Sequence, residues 1–219
     1  MRLRSLAKPL KQSHGLAREH IAERGHVHLD GSHVRSMVLY GRSDTSRRRL
    51  LNLSLHYGAL RAQFQPRGWR VILWDEIWRS QPTPDEQLAI MRNATVLITP
   101  HGAFPSVWGL LLPRGACLLE IFTKCFPYSW LPRPVLRALN VRHSSINSWT
   151  THGSLKLIHP KSGEVLRKGM ECPWNVFKPD MLDGDLLLDA QALTRHVQKT
   201  LRFSRQKPQP QLPNTVHEA

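Results

Sequence analysis

Cysteine is scarce in this 219-residue sequence: Cys117, Cys125 and Cys172 are the only three, and none forms a Cys-x-x-Cys pair. Neither a disulfide scaffold nor a thiolate zinc site of ordinary spacing can be built from them. Cys117 sits in an apolar run and reads as a core residue. Cys125 and Cys172 fall in loops; they could pair in an oxidising compartment or stay as free thiols. Long apolar runs are missing too. The longest stretches, such as Ala116 to Phe122, fall far short of the ~20 residues that a membrane-spanning helix needs. The basic N-terminus has no apolar segment of the kind a secretory signal carries. Acidic residues are few, 16 Asp and Glu against 31 Lys and Arg, for a formal charge of +15. That balance attracts nucleic acid, anionic membrane or phosphorylated ligands without choosing among them. Also absent are the GxxxxGK[ST] phosphate loop and the GxGxxG fingerprint. No RRM, KH, zinc-finger or helix-turn-helix signature supports a nucleic-acid-binding module, and nucleic acid is not the expected partner.

What is present is enough apolar sequence, 41% with seven Trp, to bury the core of one domain. Residues 1–34 read as a basic tail or a remnant of something upstream, and 205–219, rich in Gln and Pro, as a disordered tail. Much of the excess charge is expected in these ends. The domain itself is expected over 35–204. Strands are predicted at Ser36–Tyr40, Trp69–Trp74, Ala94–Thr99, Ala116–Phe122 and from Val141 onward. Helices are predicted around Leu53–Phe64, from Pro84, over Pro105–Leu112 and over Leu131–Leu139. Thr83-Pro84-Asp85-Glu86 combines an N-cap, a first-turn proline and a capping box. Beyond residue 150, a hairpin around Pro160-Lys161-Ser162-Gly163 and a closing helix over Asp185–Phe203 are expected. Short connections and near-continuous apolar strands predict an α/β, Rossmann-like fold: a mostly parallel sheet with flanking helices.

Open parallel sheets bind ligands beyond the carboxyl ends of their strands. Three loops qualify: Gly41–Arg49, Pro100–Ala103 and Thr123–Trp130. The first holds Arg42, Arg47, Arg48 and Arg49, whose planar donor forks match phosphate oxygens. In the second, Gly102 permits close backbone approach, Ala103 opens a helix, and His101 adds a donor. Glu120 is the acid of the fourth strand, where it could accept from ribose hydroxyls or pin a neighbouring loop.

Arg42 … Arg48-Arg49-Leu50-Leu51-Asn52, Glu86-Gln87, Thr99-Pro100-His101-Gly102-Ala103 and Leu112-Pro113-Arg114-Gly115 … Leu119-Glu120-Ile121-Phe122 resemble, in this order, the motifs of glycosyltransferase family 61. The resemblance spans about residues 36–125. It implies one half of a GT-B type enzyme, the C-terminal domain that holds the nucleotide-sugar donor of an O-linked GlcNAc- or xylosyltransferase-like protein. On that basis Arg42, Arg48, Arg49, His101, Gly102, Ala103 and Glu120 are the expected donor-binding residues. The donor would be UDP-linked xylose or GlcNAc, and the acceptor a glycan or glycoprotein hydroxyl. The compartment would be the ER or Golgi lumen. Where the family has HGAGLTN, this chain has His101-Gly102-Ala103-Phe104-Pro105-Ser106-Val107, and the gap from Arg42 to the arginine pair is about two residues longer. The chain leaves almost no room for an acceptor domain, so a truncated or weakly active enzyme is expected and no catalytic base is identified. No cofactor is expected, and neither is a metal, because His and Cys do not cluster at ligand spacing. A non-catalytic pseudo-transferase and a basic nucleic-acid-binding module are the alternatives.

Overall fold

The computed structural model describes residues 34–122, 133–146, 155–165 and 184–206. Residues 1–33, the tail from 207, the loop 123–132, Cys125 and Cys172 lie outside the described residues. Five strands form one parallel sheet: β1 (Arg35–Leu39), β2 (Trp69–Leu73), β3 (Ala94–Pro100), β4 (Cys117–Ile121) and β5 (Arg142–Ile146). Their order is β2-β1-β3-β4-β5. The helices are α1 (Leu53–Phe64), α2 (Trp74–Arg79), α3 (Pro84–Arg92), α4 (Ala103–Trp108), α5 (Arg133–Ala138) and α6 (Ala190–Gln206). Two further strands, β6 (Leu155–Ile158) and β7 (Asp185–Leu188), pair antiparallel in a small second sheet. The sheet and its helices match the Rossmann-like expectation.

Side chains alternate along each strand, so the sheet is covered twice. Met37 and Leu39 of β1 pack with Leu60 and Phe64 of α1 and with Leu193 and Val197 of α6. Val38, between them, joins Trp74, Ile77, Ile90, Met91 and Leu136 on the other face. Burial on both faces is why β1, β3 and β4 read as continuous apolar runs.

Two local signals hold as written in the sequence. Glu86 N donates to Thr83 Oγ1 (3.3 Å), and Thr83 N donates to Glu86 Oε2 (2.8 Å), which completes the capping box that starts α3. Leu112-Pro113-Arg114-Gly115 turns the chain into β4, with Gly115 at φ 83°. The region after 150 differs from expectation. Asp185 does not begin the closing helix; Leu186–Leu188 pair with β6, and α6 begins only at Ala190. An apolar Leu triplet contributes more by covering the core in a strand than by extending a helix, and Asp189 Oδ1 then accepts from Ala192 N (2.7 Å) as the cap. Of the hairpin expected around Pro160, the described part pairs as expected, with an antiparallel Ile158–Val165 bridge and His159 N donating to Glu164 O (2.9 Å); residues 166–168 lie outside the described residues. The charge is also placed differently. Described residues hold 20 of the Lys and Arg and 9 of the Asp and Glu, so most of the surplus belongs to folded elements.

Candidate functional site

The strand order reverses direction between β1 and β3, which run side by side. The loops leaving their carboxyl ends, 40–52 and 100–102, therefore lie at the switch point of the sheet, where open parallel sheets bind ligands.

The first loop is held in an uncommon conformation. Arg42, Arg48 and Asn52 all have positive φ, at 62°, 57° and 56°. Each such residue costs energy and persists only where its surroundings over-determine it. Asp75, buried at the start of α2, supplies one restraint. Its Oδ2 accepts from Gly41 N and its Oδ1 from Ser43 N, both at 2.6 Å. Gly41 lies against Leu53, whose methyl carbons are 2.5 Å from where a Cβ would stand. The far end of the loop is tied to β7. Leu186 N donates to Arg49 O (2.7 Å) and Leu51 N to Leu186 O (2.8 Å). Arg49 donates from its backbone N to Asp185 Oδ1 (2.8 Å), and from Nε (3.0 Å) and Nη2 (2.5 Å) to Asp185 Oδ2. The Arg49 guanidinium is thus committed to a buried carboxylate, which raises its pKa further.

The second loop meets the first at Gly102, where φ is 155°. A Cβ there would collide with Arg42 Nη1 and stand 3.8 Å from Arg48 Nη1. Arg42 Nη1 also donates to the His101 carbonyl (3.4 Å). The missing side chain of Gly102 is what lets two guanidinium groups converge on one turn. Ala103 opens α4 just beyond them, exposed. Phe104 turns away into an aromatic cluster, 3.9 Å from Tyr40, 5.7 Å from Trp74 and 5.9 Å from Trp108 between ring centroids.

Beneath the turn lies a buried carboxylate shared by two imidazoles. Glu120 is fully buried, and its Oε1 meets His101 Nδ1 at 2.7 Å while its Oε2 meets His143 Nε2 at 2.8 Å. Burial alone would raise the Glu120 carboxyl. The hydrogen bonds and charges of His101 and His143 outweigh it and hold the group below its ordinary pKa. An ionised carboxylate only accepts, so both imidazoles present N–H to it. That assigns a proton to His101 Nδ1 and one to His143 Nε2. The His101 ring stacks on Phe122 at 4.9 Å and 15°, which fixes its plane. With both oxygens engaged, Glu120 holds the loop; it is not presented to a ribose.

The arrangement brings Arg42, Arg48, His101, Gly102 and Ala103 to one turn, with Glu120 as a support and Arg49 turned to β7. Three participants were not among the sequence candidates: Asp75, His143 and Asp185. Asp75 was within reach of the same rule, because it follows the carboxyl end of β2. His143 sits in the polar strand Arg142-His143-Ser144-Ser145, and only the pairing of Leu118 with His143 shows that it reaches Glu120. One acidic triplet bears on the expectation of a metal-free site: Asp183-Gly184-Asp185 has the Asp-x-Asp spacing of manganese-dependent transferases. Asp183 lies outside the described residues, and Asp185 is engaged by Arg49. Among the described residues, no group of three or more His, Cys, Asp or Glu could hold a metal ion.

A solved glycosyltransferase of family 9 from Veillonella parvula DSM 2008 is similar in fold. The match has a TM-score of 0.48 and 10% identity, and it covers 90% of this chain. It covers 53% of the solved protein, so the chain spans about half that protein's length. No protein-family model and no curated protein matches the sequence.

Proposed function

We propose that this chain is the donor-binding unit of a glycosyltransferase, holding the diphosphate of a nucleotide sugar between Arg42, Arg48 and the His101-Gly102-Ala103 turn. The observation that carries this reading is the convergence of two guanidinium groups on Gly102. An anion at this turn would accept charge-assisted hydrogen bonds from both guanidinium groups. Their position at the switch point of a parallel sheet supports it, as does the ordered resemblance to family 61. By that resemblance the nucleoside is uridine, the sugar xylose or GlcNAc, and the acceptor a glycan or protein hydroxyl.

The chain's own residues would do three things. Arg42 and Arg48 would neutralise the diphosphate, whose charge grows as the sugar departs. Glu120 and His143 would hold the His101 ring and with it the turn. Asp75 would hold the strained first loop open to the ligand. No residue among those described stands out as the base that deprotonates an acceptor. Turnover requires acceptor and base in register with the donor, and the chain alone is proposed to bind donor with little or no transfer.

Calorimetric titration of UDP tests the reading. Arg48→Ala should weaken binding by roughly tenfold or more, since a charge-assisted bond is worth about 1.5–3 kcal/mol. Arg48→Lys should recover it only in part, because an ammonium lacks the planar fork. Equal affinity across these proteins would refute a diphosphate site at Gly102. Binding that disappears with chelator and returns with manganese would refute metal-independent binding.

A further inference from the structure

Charge is divided unequally between the two faces of the sheet. On one face, α1 and α6 lie side by side. Residues 53–67, which include α1 and the turn after it, contain no Asp or Glu, and neither does α6. Neither helix has an acid in its first turn, although acids there complement the helix dipole. On the other face, α2 begins with Asp75 and Glu76, and α3 with Asp85 and Glu86.

Arg61, Arg67, Arg195, Lys199 and Arg202 are all exposed on the acid-free helices and the turn after α1. They form one surface because the two helices touch. Gln63, with its carboxamide oxygen turned toward α6, accepts from Arg67 Nη2 and from Gln198 Nε2, each at 2.7 Å. Arg195 and Arg202 stand three residues before and four after Gln198, on the same stripe of α6. The acid at the start of α6, Asp189, caps Ala192 N and lies 3.9 Å from Arg195 Nη2. Like charges repel one another and do not stabilise a fold, so a surplus of this kind, met among the described residues only in part by Asp189, suits an anionic partner.

The shape of the surface selects among anionic partners. Among the described residues, the α1–α6 face is built of two helices lying side by side on the sheet, neither standing out from it as a recognition helix would have to. Trp69 and Tyr57, two rings of this face, are covered by arginines rather than open to a base: Trp69 is buried under Arg35 (4.8 Å), and Tyr57 lies under Arg61 (5.5 Å). Leu55, 63% exposed, shares the outer stripe of α1 with Gly58 and Ala62. These small residues leave a shallow open depression beside Arg61, bounded by Gln65 and Pro66. We propose that the α1–α6 face is an electrostatic docking surface for an anionic phospholipid bilayer. Arginines meet the headgroup phosphates, and Leu55 contacts the boundary of the acyl region.

The test is co-sedimentation of the full chain with vesicles of phosphatidylcholine alone or with about a third phosphatidylserine, at several salt concentrations. The triple variant Arg67→Gln/Arg195→Gln/Arg202→Gln is compared with Arg79→Gln/Arg92→Gln/Arg114→Gln, which removes the same charge from exposed positions outside this face. Both keep the terminal segments, and near-ultraviolet circular dichroism checks that both are folded. The wild type should bind only the anionic vesicles, and more weakly as salt rises. The first triple should lose roughly a hundredfold, at about fivefold per cation, and the second little. Equal losses from both triples, or equal binding to neutral vesicles, would overturn the proposal. Tighter binding to a short DNA duplex than to the anionic vesicles would give the face to nucleic acid instead.

Discussion

Arg42 lies across Gly102, with Nη1 in the space that a Cβ on Gly102 would fill. Substitution there is expected to act twice. Gly102→Ala places a side chain at φ 155°, outside the regions that L-residues favour, and displaces Arg42. Stability should fall by about 1–3 kcal/mol, and UDP binding should fall with it. Urea unfolding gives the first effect and calorimetry the second. An Ala variant that binds UDP like the wild type would show that the packing of Arg42 on the turn is incidental.

Glu120 accepts from two imidazole N–H groups, and Glu120→Gln leaves it one oxygen. The amide NH2 then opposes a ring N–H in a fully buried space. A loss of about 1–3 kcal/mol is expected from the unsatisfied donor, read as a lower urea midpoint. NMR of the ring nitrogens should show one imidazole forced to its other tautomer. Unchanged tautomers would contradict the pairing described here.

Acid should destabilise the protein through three identifiable groups: Glu120, His56 and His196, whose pKa burial and the nearby Lys199 push down. Glu120 has a folded pKa below its ordinary value, so its contribution is present above about pH 4.5 and lost as pH falls below that. His56 is buried in α1. Burial pushes its pKa down, against the smaller opposing pulls of the Leu51 backbone and Asp189. Its stabilising neutral form is complete above about pH 6.5, the unfolded value, and stability declines as pH falls below it. His56→Leu should therefore reduce the change in unfolding midpoint between about pH 7 and pH 5, with the His196 part remaining, while leaving the Glu120 step in place.

Adjacent arginines should separate by phenotype. Arg49→Ala leaves Asp185 buried without its ion pair, so stability should fall while the Arg48 contact survives. Arg48→Ala should do the reverse. Thermal unfolding and UDP titration of the two proteins distinguish them. A larger loss of UDP affinity in Arg49→Ala than in Arg48→Ala would contradict the division of labour.

Sequence periodicity was sufficient for the main sheet because its strands are buried on both faces, leaving unbroken runs such as Val96-Leu97-Ile98. The capping box at Thr83 was legible because both of its bonds are local. Arg42, Arg48, His101 and Gly102 were legible as loop residues beyond strand ends. What they touch was not. The Arg49–Asp185 pair joins residues 136 positions apart, and the Glu120–His143 bond joins residues 23 apart. The register of β4 against β5 and the docking of β7 on the first loop decide both, and neither is written in local pattern. The Leu186–Leu188 run misled in the opposite direction: taken alone it suits a helix, and pairing with β6 makes it a strand.

The most direct test of the donor site is phosphorus NMR of UDP titrated with the protein. If Arg42 and Arg48 grip the diphosphate, the wild type should shift or broaden both phosphorus resonances. The Arg42→Ala/Arg48→Ala protein, confirmed as folded, should leave them as they are in free UDP. Equal perturbation by both proteins, or none by the wild type, would contradict a diphosphate site at the Gly102 turn.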